Sequence, residues 1–346
     1  MGRKELKAVI KTKKGEGNIE LKEIPEPIPK EKEVKIEVKV AGICGTDIHI
    51  YHDEYPNNPP VVLGHEVSGI IVDIGRDVTE YKVGDRVTSE TFFYTCGKCR
   101  FCRSGRINLC PDRLSIGSGV NGAFAKYLVV PEKNLHKLPL NVSFDEGALS
   151  EPLACSIHAV SESAGICASD VVVISGPGPI GLLALQIARG EGGFAIICGT
   201  SGDEERLAVG KQVGADIAIN VQEKDPLRIV REVSEGYGAD VVVECAGVAS
   251  SASQCLRLVR KGGKFIQMGL FGKPVQIDLE QVVYKELNMI GSFSHVPSCW
   301  RKATRLLEQK KVMLEPLISD KLPLNQWKKG FEKTERHQGL KLLLYP

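Results

Sequence analysis

The chain has 346 residues, 42% of them apolar and 25% charged, with 45 basic against 43 acidic side chains. Single cores rarely grow past roughly 250–300 residues, so two domains are expected. The balanced charge offers no basic excess for nucleic acid, the composition is that of an ordinary soluble enzyme, and neither nucleic acid nor membrane is expected as a partner.

The opening stretch, MGRKELKAVI, has no apolar run long enough for a secretory leader, and Leu6 stands where a myristoylation motif needs Ser or Thr. A cytoplasmic protein is expected. From Lys7 to about Glu151, short alternating segments such as LKAVIK, VKIEVKV, EVSGIIVDIG and GDRVTSE read as strands of an antiparallel, partly exposed sheet or barrel. Within this region lie Cys44-Gly45-Thr46-Asp47-Ile48-His49 and Gly64-His65-Glu66, and at its end Glu151-Pro152-Leu153. One thiolate, one imidazole and carboxylates suit a zinc ion that keeps a position open for substrate. Singly, Cys44 or His65 reads as a packed core residue; their occurrence beside the next two motifs favours metal.

Eleven cysteines in a reducing compartment point to metal or catalysis rather than disulfides. Cys96-x-x-Cys99-x-x-Cys102, then seven residues to Cys110, can wrap four thiolates around one tetrahedral ion. Such a closed site is structural, and zinc is its default occupant. An iron–sulfur cluster is the rival, although ferredoxin-type runs add the fourth cysteine after three residues.

After Glu151 the pattern becomes strand-then-helix: VVVISG with PIGLLALQIARG, FAIICG with DEERLAVGKQVG, then ADVVVECAG and GGKFIQMG. This is a doubly wound parallel sheet from roughly Cys155 to Gly291. Val171 to Ala188 is apolar enough to suggest a membrane span, but the glycines and prolines from Gly176 to Gly181 break it into strand, turn and helix. Gly176, Gly178 and Gly181, with Pro177 and Ile180 between them, form G-x-G-x-x-G in that context, which is the signature of a dinucleotide pyrophosphate site. The acidic residue expected about 20 positions on is missing. Gly199, Thr200 and Ser201 stand there, with Asp203 and Arg206 just beyond. Acceptance of NADP with some preference over NAD is expected, since Thr200, Ser201 and Arg206 can meet a 2′-phosphate while Asp203 can substitute for the carboxylate. Glu244 either faces the cofactor cleft or serves structure. His52, His136 and His337 read as solvated surface histidines. The tail from His295 carries two helical stretches and a last strand, KLLLY, and is too short to bury a core alone.

The segments GICGTDIH, VLGHEVSG, the four-cysteine lobe, SEPLACSIHA and ISGPGPIG, in this order, resemble the zinc-containing medium-chain dehydrogenase family over essentially the whole chain. The resemblance implies a GroES-like catalytic domain from 1–154 and 292–346, with its zinc lobe at about 90–115, and a Rossmann domain at 155–291. SEPL and the short loop from Asp47 to Pro60 look most like the sorbitol, galactitol and threonine dehydrogenase branch. That branch implies two zinc ions per chain: a catalytic one on Cys44, His65, Glu66 and Glu151, and a structural one on Cys96, Cys99, Cys102 and Cys110. It further implies proton transfer through Thr46 and His49, an Asp47 that orients His65, and a homodimer or homotetramer joined through the LNMIGS segment. The expected reaction is hydride transfer from a secondary alcohol of a polyol or sugar-like substrate to NAD(P), giving a ketone, with an L-threonine 3-dehydrogenase or a general secondary-alcohol dehydrogenase as the alternative. A zinc-binding regulatory module is the alternative outside enzymes.

Overall fold

The computed structural model describes residues 5–346, so the part of the leader expectation that rests on the first four residues lies outside it. Two compact units result: one runs to Glu151 and resumes at Val296–Gln309 and Ile318–Pro346, and the other comprises Pro152–His295 and Lys310–Leu317. The tail is thus divided more finely than 292–346 as one piece. Residues Lys310–Leu317 go with the second unit because the Gln186 side chain binds both backbone groups of Met313, at 2.6 and 3.0 Å.

The first unit is built on a sheet in the order Leu135–Lys137, Arg86–Ser89, Glu66–Ile74, Glu33–Gly42, Lys341–Tyr345 and Ile318–Pro323, with Tyr127–Pro131 also paired to Glu33–Gly42. Val34, Ile36, Val38 and Val40 alternate inward along the central strand, the period-two pattern of a half-buried sheet. Leu342 and Leu344 from the tail join the same apolar cluster as Val34, Ile36, Ile71 and Leu128. The last two strands are parallel rather than antiparallel. The helix Trp327–Glu335 lies between them and supplies the crossover that a parallel pair requires.

The second unit carries six parallel strands in the order Ile217–Asn220, Phe194–Gly199, Val171–Ser175, Ala239–Glu244, Val259–Gln267 and Asn288–Gly291. Val171–Ser175 is buried throughout, as a central strand covered on both faces must be. The chain runs outward to one side from this strand and then returns to its other side at Ala239–Glu244, so the topological switch point lies at the carboxyl end of Val171–Ser175. Glu244 is structural: wholly buried, it accepts from Ala246 N, Gly247 N, Ser251 Oγ and Gln267 Nε2 at 2.7–3.0 Å. Asn288–Gly291 forms the exposed edge of the sheet, with Met289 41% accessible. Among the described residues no helix is long and apolar enough to cross a membrane.

Candidate active site

The helix Gly45–Tyr51 follows the central strand of the first unit, and Cys44 is its N-cap in extended backbone. Asp47 closes this first turn by accepting the Cys44 N–H at 2.9 Å, which fixes the thiol at the helix entrance. His65 and Glu66 arrive on the neighbouring strand because Glu66 pairs in register with Gly42. The ligand atoms of Cys44, His65 and Glu66 all lie within 4.8 Å of one another. Gly42 makes room for this: a Cβ there would sit 2.0 Å from Glu66 Oε2. Glu151, buried in the first turn of Ser150–Ile157, stands outside that group of three but acts electrostatically on His65.

Two observations fit this cluster to a divalent ion. The buried Asp47 Oδ1 has no hydrogen-bond partner and lies 3.7 Å from His65 Nδ1, which is where a metal-bound imidazole takes its support. Burial works against a proton on His65, yet Cys44, Asp47 and Glu151 raise its pKa well above the ordinary histidine value. The same surplus of negative charge favours a metal cation, and one thiolate, one imidazole and carboxylates form a zinc-type donor set.

Sequence reasoning missed Lys341. Its Nζ donates to both oxygens of Glu66, at 2.6 and 2.7 Å, and to Ile43 O at 3.0 Å, with both side chains out of solvent. Burial disfavours this ammonium, but Glu66, Cys44 and Glu151 more than offset the effect and its pKa lies above the ordinary lysine value. Glu66 therefore divides its charge between the cluster and Lys341. The available signal was a single cation opening the otherwise apolar strand KLLLY. Thr46 and His49 stand three residues apart on the helix, hence on one face, both half-buried. His49 Nδ1 is 2.7 Å from Glu54 Oε2.

The four-cysteine lobe folds around the short helix Arg100–Arg103. Backbone N–H groups of Cys96, Cys99 and Cys102 point at the sulfurs of Cys110, Cys96 and Cys99, each at 3.4 Å. The N–H groups of Cys99 and Lys98 draw the Cys96 thiol down to about 7. Cys96 Sγ and Cys102 Sγ are 4.0 Å apart. Sulfurs ~2.3 Å from a central zinc would be ~3.8 Å from one another, so little rearrangement is needed to hold the ion. None of the eleven cysteines forms a disulfide.

In the second unit each glycine of the dinucleotide motif has its own reason. Gly176 has φ 102°, and a Cβ on it would meet Ala246 N at 2.7 Å; a Cβ on Gly181 would meet Gly176 O at 1.9 Å; beside Gly178 the space is open. The helix Pro179–Gly190 starts from Gly178 with proline in its first turn, leaving N–H groups at its end for an anion. Pro177 packs beside Gly199, where a Cβ would meet its ring at 2.8 Å, and Ile180 is half-buried. Asp203 is already engaged: its Oδ2 accepts from Thr200 N at 3.0 Å and Thr200 Oγ1 at 2.8 Å, and its Oδ1 lies 3.5 Å from Arg206. The Thr200 proton is thus directed at Asp203. Ser201 Oγ accepts from Asn220 Nδ2 at 3.0 Å and lies 3.5 Å from Asn220 Oδ1, to which it can donate.

A Cys–His–Glu cluster able to hold a metal ion, a four-cysteine cluster and a glycine loop at the switch point of a parallel sheet are together the features of a zinc-dependent dehydrogenase. Residues 30–140 match the alcohol dehydrogenase GroES-like domain and residues 179–309 the zinc-binding dehydrogenase domain. A sorbitol dehydrogenase of Halalkalibacterium halodurans is 45% identical over 342 residues, 99% of each chain. The D-arabitol-phosphate dehydrogenase of Enterococcus avium is 40% identical over 343 residues, 99% of this chain and 97% of its own. A solved zinc-binding dehydrogenase of Sinorhizobium meliloti bound to NADP superposes with a TM-score of 0.91 at 34% identity, covering 99% of this chain and 100% of its own. The chain belongs to the zinc-containing medium-chain alcohol dehydrogenase family, in the branch of the sorbitol, galactitol and threonine dehydrogenases, and is an oxidoreductase.

Removing the Lys341 charge strands Glu66 in the core. Lys341→Met should cost about 3–5 kcal/mol in the first unit, and pairing it with Glu66→Leu should restore most of that. Urea unfolding of the metal-free variants measures both; an unchanged midpoint in Lys341→Met contradicts the account.

Proposed function

We propose that this chain is a cytoplasmic, homo-oligomeric dehydrogenase that oxidises a secondary alcohol of a polyol or sugar-like substrate to the ketone, with NAD or NADP as hydride acceptor. The mutual approach of Cys44, His65 and Glu66 carries the reading. The names of the relatives support the substrate class, and eleven cysteines outside any disulfide suit a reducing compartment. Zinc at this cluster supplies Lewis acidity that lowers the pKa of a substrate hydroxyl. Cys44 and His65 hold it, Glu66 and Glu151 complete the set directly or through water, and Asp47 orients His65. Thr46 takes the substrate proton and His49 releases it to solvent. Gly176, Pro177, Gly178, Ile180 and Gly181 receive the cofactor pyrophosphate, while Thr200, Ser201, Asp203 and Arg206 face its adenosine ribose. Cys96, Cys99, Cys102 and Cys110 hold a second, structural zinc.

Elemental analysis should give two zinc ions per chain. Cys99→Ser should lower the melting temperature, because a structural zinc contributes folding energy directly, while Cys44→Ser should abolish turnover and leave the fold intact. The reverse pattern would overturn the two assignments.

Turnover of a panel of polyols, polyol phosphates and threonine with both cofactors tests the reaction; threonine as best substrate would replace the polyol reading. NADP should be accepted, with some preference. A charged hydrogen bond from Ser201 or Arg206 to a 2′-phosphate contributes on the order of 1.5–3 kcal/mol, about tenfold or more in kcat/KM. An NAD advantage of about a hundredfold, or about 2.7 kcal/mol, would make Asp203 the ribose ligand instead.

The exposed edge strand Asn288–Gly291 supports self-pairing across a two-fold axis. Sedimentation at micromolar concentration should give a dimer or tetramer, and a monomer would refute it.

A further inference from the structure

The helix Gly45–Tyr51 ends in a reversal that its sequence spacing does not suggest. His52 N and Asp53 N close its last turn on Ile48 O and Ile50 O, at 3.0 and 3.1 Å. Asp53 then takes a left-handed conformation, φ 60°. Its carboxylate is held from both sides, by Gly15 N at 2.8 Å and Asn57 Nδ2 at 2.9 Å. The chain doubles back, so that Glu54 N donates to His49 O at 2.8 Å and Glu54 Oε2 reaches His49 Nδ1 at 2.7 Å. Five residues is not a helical contact spacing; the left-handed turn produces the pair. Nearby, His52 is taken up by Glu16 and Glu335 at 3.3 and 2.6 Å, and Lys14 lies 3.9 Å from Asp53. The Glu54 carboxylate is 41% exposed and the His49 ring 26%, so the pair stands where solvent begins.

We infer that Glu54 is a positioning residue for proton release, an inference that rests on the proton route through Thr46 and His49 proposed above. An ionised carboxylate only accepts hydrogen bonds, so Glu54 requires a proton on His49 Nδ1 and leaves the Nε2 lone pair as the acceptor. Oxidation of an alcohol breaks one C–H and one O–H bond; the C–H electron pair leaves as hydride to the cofactor, and the remaining proton must reach water. It rests on His49 Nε2, where the facing carboxylate balances the imidazolium charge, and leaves from that same nitrogen. The ring is back in its starting tautomer without turning over. An exposed ion pair adds little to stability, so the effect of Glu54 belongs to turnover and not to folding.

The test is a cycle of Glu54→Gln and His49→Asn in the zinc-loaded enzyme at saturating polyol. The glutamine amide both donates and accepts, so it no longer selects a tautomer. Glu54→Gln should lower kcat on the order of tenfold with KM and melting temperature unchanged, and a solvent deuterium isotope effect on kcat should appear or grow. Added formate should restore part of the kcat lost in Glu54→Ala, and Glu54→Gln should have no further effect in the His49→Asn background. If His49→Asn lowers kcat and Glu54→Gln does not, or if the two losses multiply, Glu54 does not act through His49 and the inference fails. If His49→Asn leaves kcat unchanged, the proton route itself is wrong, and the role of Glu54 falls with it.

Discussion

Moving an ammonium and a carboxylate from water into a protein core costs several kcal/mol for each ion, and only close pairing with good geometry offsets it. The first unit does this at Lys341 and Glu66, with both carboxylate oxygens and the Ile43 carbonyl on one ammonium. Much else is arranged around that pair. Gly42 lacks a side chain where Glu66 must pass, and Leu343 and Leu344 pair with Gly42 and Ala41 so that Lys341 comes to the right height. His65 is the neighbour of Glu66 in the chain, so the register that seats the ion pair also seats the imidazole beside Cys44. Geometry for metal and geometry for the core are therefore one constraint.

Lysine is used in a related way at three helix ends. Lys11, fully buried, donates to Gly15 O, Gly17 O and Tyr51 O, tying a surface loop to the end of the helix that carries Thr46 and His49. In the second unit Lys285 gathers Leu256 O, Arg257 O and Val259 O at 2.6–3.1 Å, and Lys264 takes Ala164 O and Gly165 O. The last carbonyls of a helix have no partner within it and carry partial negative charge, so an ammonium satisfies both needs at once. Burial lowers the pKa of Lys11 and Lys285, the cost of placing the charge there.

What the sequence made legible was whatever depends on local spacing. Gly176 and Gly181 could be read because each answers a steric demand within a few residues, and the four cysteines because they converge within a short lobe. Contacts that depend on distant chain were hidden. Lys341 meets a partner 275 positions away, and nothing beside it in sequence announces a carboxylate. Glu54 reaches His49 through a left-handed residue, which no helical or strand period encodes. His136 looked like a surface histidine from its polar neighbours, yet its ring stacks on Trp300 at 5.1 Å and meets Glu90 at 2.9 Å. The expected role of Thr200 as a phosphate donor failed to foresee a local competitor, since Asp203 caps it three residues on.

The division of the chain has a consequence for how the molecule is made. Nearly all of the second unit is one continuous stretch, Pro152–His295, and its six parallel strands fall within it. The central sheet of the first unit is not continuous: the strand beside Glu33–Gly42 is Lys341–Tyr345. Domains generally fold as units while a chain is synthesised from its N-terminus. The inserted unit can therefore complete its sheet while Glu66 still waits for its ammonium, so the order of synthesis is not the order of completion, and the half of the molecule that begins first is finished last.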